Sequence, residues 1–292
     1  MSTTQASVES DPTHTPHTSG LEPVIAIRYD DRAGSKATRV IAPVLTLLVV
    51  LGLWTLVSTQ LMAPGREFLL PSPIDVFQGG FMDGPGRHEI LTALWSTAKI
   101  ALIGLGLAML LGVGLAVAMS QARWIEASLY PYAVILQTIP ILAMVPLLGF
   151  WFGYELTARV IVCVLISLFP IITNTLFGLR SVDASLHDQF SLCRASRLQR
   201  LTRLQLPAAL PAAVTGFKIS AGLSVVGSII ADFFFRQGQP GIGRLIDTYR
   251  QSLDTDRMLA ALVASSAVGV VLFLMFNVLL QRIESRRGSS RH

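Results

Sequence analysis

An all-α, polytopic membrane protein with six transmembrane helices is the fold class this sequence predicts. Three observations carry it. Hydrophobic residues make up 52% of the 292-residue chain and charged residues only 14%, where a soluble domain carries about a quarter. The apolar residues gather into runs of about 20, the length that crosses a hydrocarbon core. The mean hydropathy is +0.58, so the polar stretches between the runs do not dominate. The net charge of +5 reads as basic flanks facing lipid headgroups rather than as a nucleic-acid surface.

Taken in order, 1–39 is rich in Ser, Thr, Pro and His and has no apolar period. It reads as a disordered cytoplasmic tail. It is not a signal peptide, because the first apolar run starts only near Val40 and is long enough to span. His14 and His17 in that tail read as solvated. A single membrane domain is expected over 40–281, followed by a short cytoplasmic tail at 282–292.

The first span covers 40–57. The connector 65–88 contains Pro71 and Pro73, which break helices, and Asp75, which can cap a short interfacial helix. The second span, 91–119, carries Gly104, Ala108 and Gly112 in one i,i+4 row, a face that lets helices approach closely in lipid. Arg123 lies in the turn that follows. The third span, 129–151, contains Pro131, Pro140 and Pro146. The two interior prolines, Pro140 and Pro146, free backbone carbonyls. With Gln137 and Thr138 beside Pro140, this is either a translocation-pathway helix or a kinked packing helix.

The fourth span, 158–177, ends near Asn174, which is expected to face protein or water rather than lipid. The fifth, 212–235, holds Ser220 as a further pathway candidate, Lys218 towards its inner end and Asp232 towards its outer end. A loop of about twenty residues fills 236–257, and the sixth span covers 258–280. Cys163 and Cys193 are the two cysteines. They make no disulfide framework and lack metal-ligand spacing.

Six spans place both termini on one side. Fourteen of the 23 Lys and Arg residues fall on that side, in the two tails, at Arg123 and at five positions between Arg180 and Arg203. The opposite side has six, among them Arg236, Arg244 and Arg250. Basic residues collect on the cytoplasmic side, so the termini and the stretch 180–211 are assigned there.

That stretch is the longest polar interruption in the second half of the chain. Val182, Leu186 and Phe190 recur every four residues and predict one amphipathic helix. Ser196 and Gln199 form a capping-box pattern, which starts a second short helix at Arg197. Leu198, Leu201 and Leu204 give it an apolar face. Arg197, Arg200 and Arg203 interleave with them and suit lipid phosphates or an acidic protein surface. Pro207 and Pro211 mark re-entry into the fifth span. Such an L of two helices packs on the ends of the spans or lies flat on lipid.

The sequence contains no Walker A glycine loop, no H-E-x-x-H, no C-x-x-C and no G-x-S-x-G. No paired-carboxylate constellation is visible either. The expected protein is therefore not an enzyme and holds no cofactor of its own.

The central stretch resembles the cytoplasmic coupling loop of permeases of binding-protein-dependent ABC importers. Their pattern is E-A-A, three residues, Gly, nine residues, Ile, one residue, Leu-Pro. Anchored on Leu206 and Pro207, the apolar position falls on Leu204 and the glycine on Arg194. The E-A-A falls on Asp188, Gln189 and Phe190, so the acidic slot survives while the alanines and the glycine do not. FLLPSPIDVF at 68–77, IPILAMVPLLGFWFG at 139–153 and FPIITNTLFGLRSVD at 169–183 are similar to the nitrate/sulfonate/taurine branch, as is ASRLQRLTRLQLPAALP at 195–211.

The resemblance implies a type I importer permease in the plasma or inner membrane. Two copies would form the pathway, and a separate ATPase subunit would bind the ATP. An extracytoplasmic binding protein would deliver the substrate, a sulfonate-, nitrate- or taurine-like solute or a vitamin precursor. Residues 186–199 would dock into the ATPase, with Asp188, Gln189 and the turn Arg194, Ala195, Ser196 and Arg197 at the contact. At the glycine slot, either the turn differs or Arg194 touches the ATPase directly. A secondary transporter working without an ATPase is the alternative reading. It would predict internal repeats and ionisable residues at mid-membrane. A membrane enzyme is a third.

Overall fold

The computed structural model describes residues 36–62 and 67–288. Most of the expected N-terminal tail and the last four residues of the C-terminal tail lie outside them. The chain forms two units, residues 1–50 and 51–292. Eleven α-helices occur among the described residues.

Helix α1, Lys36–Leu56, begins four residues before the predicted span and is extended by a π-turn to Leu61. The connector then folds back. Trp54 Nε1 donates to the Pro71 carbonyl at 3.1 Å and Ser58 Oγ to the Leu70 carbonyl at 2.7 Å. The predicted interfacial helix is α2, Pro73–Phe77. Its cap is Ser72 rather than Asp75. Ser72 Oγ accepts from the Asp75 N–H, and the Asp75 carboxylate accepts from the Ser72 N–H at 3.1 Å. Asp75 is the reciprocal third residue of a capping box.

The centre of the bundle is α3 (Gly84–Gln121), α6 (Leu156–Arg180) and α9 (Leu206–Phe234), with α6 packed against both others. Small residues allow this. A Cβ on Gly104 would collide with Cys163 of α6, and one on Gly112 would lie 2.6 Å from Ile171. The glycine row predicted to permit close approach therefore faces α6. In a bilayer, where burying apolar surface gives little net gain, such contacts supply packing energy.

The third predicted span is two helices. These are α4, Arg123–Thr138, and α5, Ile141–Phe152, bent by 101° across Ile139 and Pro140. Proline disfavours helical geometry in the residue before it, and Ile139 is extended at φ −64°, ψ 128°. Pro131 and Pro146 remain inside their helices. Among the described residues, five helices are long and apolar enough to span, or six if the bent pair counts as one.

Between α6 and α9 lie α7, Ala184–Leu192, and the short α8, Arg197–Arg200. No break separates α8 from the helix that contains the fifth predicted span. A π-turn at Leu201–Gln205 carries α8 directly into α9, with the Leu206 N–H bonding the Leu201 carbonyl. The extra residue in that turn lets Pro207, near the start of α9, follow without a chain break. Pro211 is also accommodated within α9.

The loop expected at 236–257 contains α10, Ile242–Gln251, followed by the last helix, α11, Thr255–Gly288. Ile242, Ile246 and Tyr249 are buried against α3 and α11 residues. Their i, i+4, i+7 spacing is a helical signal that the charged residues between them mask. Asp247 is buried beneath the exposed Arg236 and Arg250 side chains that pair with it. Its hydrogen bond from Arg250, with the nearby Arg236 guanidinium, holds its carboxyl below the usual carboxylate range. Burial and the Tyr249–Glu89 hydrogen bond push the Tyr249 phenol up.

Candidate coupling loop and translocation cleft

Helix α7 has no buried residue. Val182 and Phe190 of the predicted apolar stripe are partly covered, and Leu186 is exposed. Asp188 and Gln189 are both exposed, and Asp188 makes no ion pair among the described residues.

The helix ends in a Schellman turn. The Ala195 N–H bonds the Phe190 carbonyl at 2.9 Å and the Arg194 N–H bonds the Ser191 carbonyl at 2.9 Å. Arg194 takes the left-handed position with φ 51°. The turn is thus the one a glycine would make, held here by an arginine. Left-handed geometry costs an L-residue about 1–2 kcal/mol. Arg194→Gly is expected to stabilise this turn by about 1 kcal/mol and to slow amide exchange at Arg194 and Ala195. Faster exchange would refute it.

Two residues on, the predicted capping box is present. The Gln199 N–H bonds Ser196 Oγ at 3.2 Å, and the Ser196 N–H bonds Gln199 Oε1 at 2.9 Å. Arg200 Nη2 reaches back to Ser191 Oγ at 3.0 Å, tying α8 to α7. Arg197 and Leu198 are exposed, whereas Leu204 and Leu206 are partly covered at the start of the bundle. Arg180, at the end of α6, pairs with Glu126 in the first turn of α4.

A cleft of 540 Å³ lies among α4, α5, α6 and α9. Gln137 and Asn174 line it, as Phe169, Pro170 and Thr173 do. Thr138 and Pro140 are at the break beside it. Thr138 Oγ1 donates to the Ile135 carbonyl at 2.9 Å. Ser220 does not line the cleft. It is wholly buried, and its Oγ donates to the Ser167 carbonyl at 2.6 Å across the α6–α9 contact. Asn174 Nδ2 donates to the Pro170 carbonyl at 2.8 Å.

At the other end of α9 is a cluster that sequence reading did not assemble. Arg159 and Asp232 are buried and paired at 2.8 Å. Arg159 also donates to the carbonyls of Phe235 (2.8 Å), Gln237 (2.6 Å) and Gln239 (3.1 Å). Thr97 Oγ1 donates to Asp232 at 3.0 Å and accepts from the Ile242 N–H at 2.8 Å. One guanidinium thereby caps the end of α9 and fixes the path of the chain into α10. A charged residue near the end of each of two spans was the available signal, but their 73-residue separation hid the pairing.

The described residues thus form a helical bundle with a capped loop and a cleft among its helices. Residues 108–286 match the family described as binding-protein-dependent transport system inner membrane component, and the chain belongs to that family. It is 29% identical to the formylaminopyrimidine transport permease protein ThiX of Halalkalibacterium halodurans, over 82% of this chain and 92% of that one. It is 31% identical to the riboflavin transport system permease protein RibX of Chloroflexus aurantiacus, over 84% and 89%. The taurine transport system permease protein TauC of Escherichia coli is 28% identical over 83% and 88%.

The fold is shared with a chain of the inward-facing MetNI methionine ABC transporter. That match has TM-score 0.61 and 18% identity, and covers 69% of this chain and 99% of the other. The protein is an ABC importer permease and a multi-pass membrane protein, as the resemblance implied.

Proposed function

We infer that this chain forms the substrate pathway of an importer whose ATP is bound by a separate subunit. An extracytoplasmic binding protein delivers the solute, and two copies of the permease enclose the path. The observation that carries this reading is the continuous helical segment Arg197–Phe234. It starts at the capped turn after α7, lines the cleft with Ile219, Leu223, Val226 and Ile230, and ends at the Arg159–Asp232 pair. A push on the turn therefore reaches the cleft wall as rigid-body motion.

In this reading Asp188, Gln189 and the turn Arg194, Ala195, Ser196 and Arg197 contact the ATPase. Leu204, Leu206 and Pro207 seat the element on the bundle. ATP-driven closure of two ATPases brings the two turns together and opens the cleft outward, and hydrolysis resets it. Basic-residue asymmetry supports cytoplasmic termini and a cytoplasmic α7 in the plasma or inner membrane. The substrate is a small polar solute, of the sulfonate, nitrate or taurine kind or a vitamin precursor. The chain itself performs no chemistry and binds no cofactor.

Asp188→Lys is the test. The exposed side chain supports no fold contact, so the variant is expected to insert normally and to lose ATPase copurification by about tenfold or more. Undiminished complex recovery and transport would remove Asp188 from the contact. Uptake by the chain alone, without ATP, would instead establish a secondary transporter.

A further inference from the structure

The cleft carries no formal charge. All of its fourteen lining residues are uncharged. The lysine nearest in sequence, Lys218, lies next to the lining residue Ile219 but is committed elsewhere. Its ammonium is 3.5 Å from Asn277 Oδ1 and sits over the Phe273 ring at 5.0 Å. The Arg159 guanidinium is paired with Asp232 and occupied by loop carbonyls.

Helix dipoles supply no net charge either. The C-terminus of α4 and the N-terminus of α5 meet across Ile139 and Pro140 at a 101° bend. Their partial charges have opposite signs and comparable size. Two residues apart, they largely cancel for anything further off.

What the cleft does offer is neutral hydrogen bonding in an apolar frame. Leu165, Ile166 and Phe169 on α6 and Ile219, Leu223 and Val226 on α9 form aliphatic and aromatic walls. Gln137, Thr173 and Asn174 add two amides and a hydroxyl. Asn174 Nδ2 is engaged by the Pro170 carbonyl, and no hydrogen bond uses its Oδ1 among the described residues. Pro170 supplies no N–H to the Ile166 carbonyl, which leaves an acceptor in the α6 wall. Acceptors are thus at least as available as donors. An inorganic oxyanion or a sulfonate that sheds water against these walls gains neither an opposite charge nor a ring of donors in return.

We propose that the cleft passes an uncharged heterocyclic solute, apolar on its ring faces and bearing amide or amine groups at its edge, rather than an anion. This rests on the permease reading above and narrows its substrate class. Gln137 and Asn174 are the specificity-determining residues, reading the edge groups while the walls of α6 and α9 hold the ring.

The test uses the assembled importer, permease with its ATPase in proteoliposomes and its binding protein outside. The probes are a formylaminopyrimidine, nitrate and methanesulfonate. ATP-driven uptake of the pyrimidine, undiminished by excess nitrate or methanesulfonate, is expected. The exposed position of Gln137 permits a charge pair there without refolding the bundle. Gln137→Glu and Gln137→Lys are expected to lower pyrimidine uptake by factors within about threefold of each other, because a neutral solute has no preferred sign. Uptake of nitrate or methanesulfonate in place of the pyrimidine overturns the proposal and leaves the permease reading standing. So does a lysine variant exceeding the glutamate variant by about tenfold or more. Uptake that proceeds without ATP, by the chain alone, overturns both.

Discussion

Asp232→Asn is expected to lower the stability of the bundle by about 3–5 kcal/mol, the cost of leaving one partner of a buried ion pair without its counter-charge. Asparagine keeps the shape and a bond to Thr97, so the loss isolates the charge. Arg159 is 3% exposed and Asp232 is 0% exposed, so water does not reach the stranded guanidinium. The three loop carbonyls it also holds remain, but they carry only partial charges. The measurement is thermal unfolding in detergent. An unchanged midpoint would show that the pair contributes nothing. Arg159→Met combined with Asp232→Leu removes both desolvation penalties but also the donor to three loop carbonyls, so only part of the loss is expected to return.

The second large effect is expected at Gly178, near the cytoplasmic end of α6 in the charge-based orientation. A Cβ there would lie 2.9 Å from both the Cα and the carbonyl oxygen of Ala209 in α9. Backbone atoms cannot rotate aside as a side chain can. Gly178→Ala therefore forces α6 and α9 apart and is expected to cost about 1–3 kcal/mol. Gly106→Ala is the control, since its Cβ would meet nothing within 4 Å. Alanine there is expected to gain up to about 1 kcal/mol from helix propensity. Equal midpoints for the two variants would show that α6 and α9 are not held at the observed distance.

Apolar run length made the spans legible in sequence. The capping box at Ser196 and Gln199 was legible too, because it is a local rule with a fixed spacing. The glycine row on α3 reads as a packing face, and it packs on α6. A kink near Pro140 is one of two readings the sequence leaves open, and two further features are not legible in it. The bend at Pro140 follows from a residue that α4 and α5 also carry without bending, at Pro131 and Pro146. Helix α10 hides its buried stripe among three charged residues, Arg244, Asp247 and Arg250, so its sequence reads as loop. The Arg159–Asp232 pair, like the cleft joining Gln137 to Asn174, depends on which helix faces meet, and no local rule encodes that. Ser220 illustrates the same limit. A serine in a span is polar in sequence, yet here its hydroxyl is spent on the carbonyl of Ser167.

The segment from Arg197 to Phe234 has 38 residues and is about 57 Å long at 1.5 Å per residue, almost twice the thickness of the hydrocarbon it crosses. In the coupling proposed above it would work as a lever long enough for its ends to reach beyond the hydrocarbon. A tilt of ten degrees about its lower end would carry the upper end sideways by about 10 Å over that length. A small angular step at the foot is then enough to open or close a passage the width of a single ring, and the gearing is set by the length of one helix.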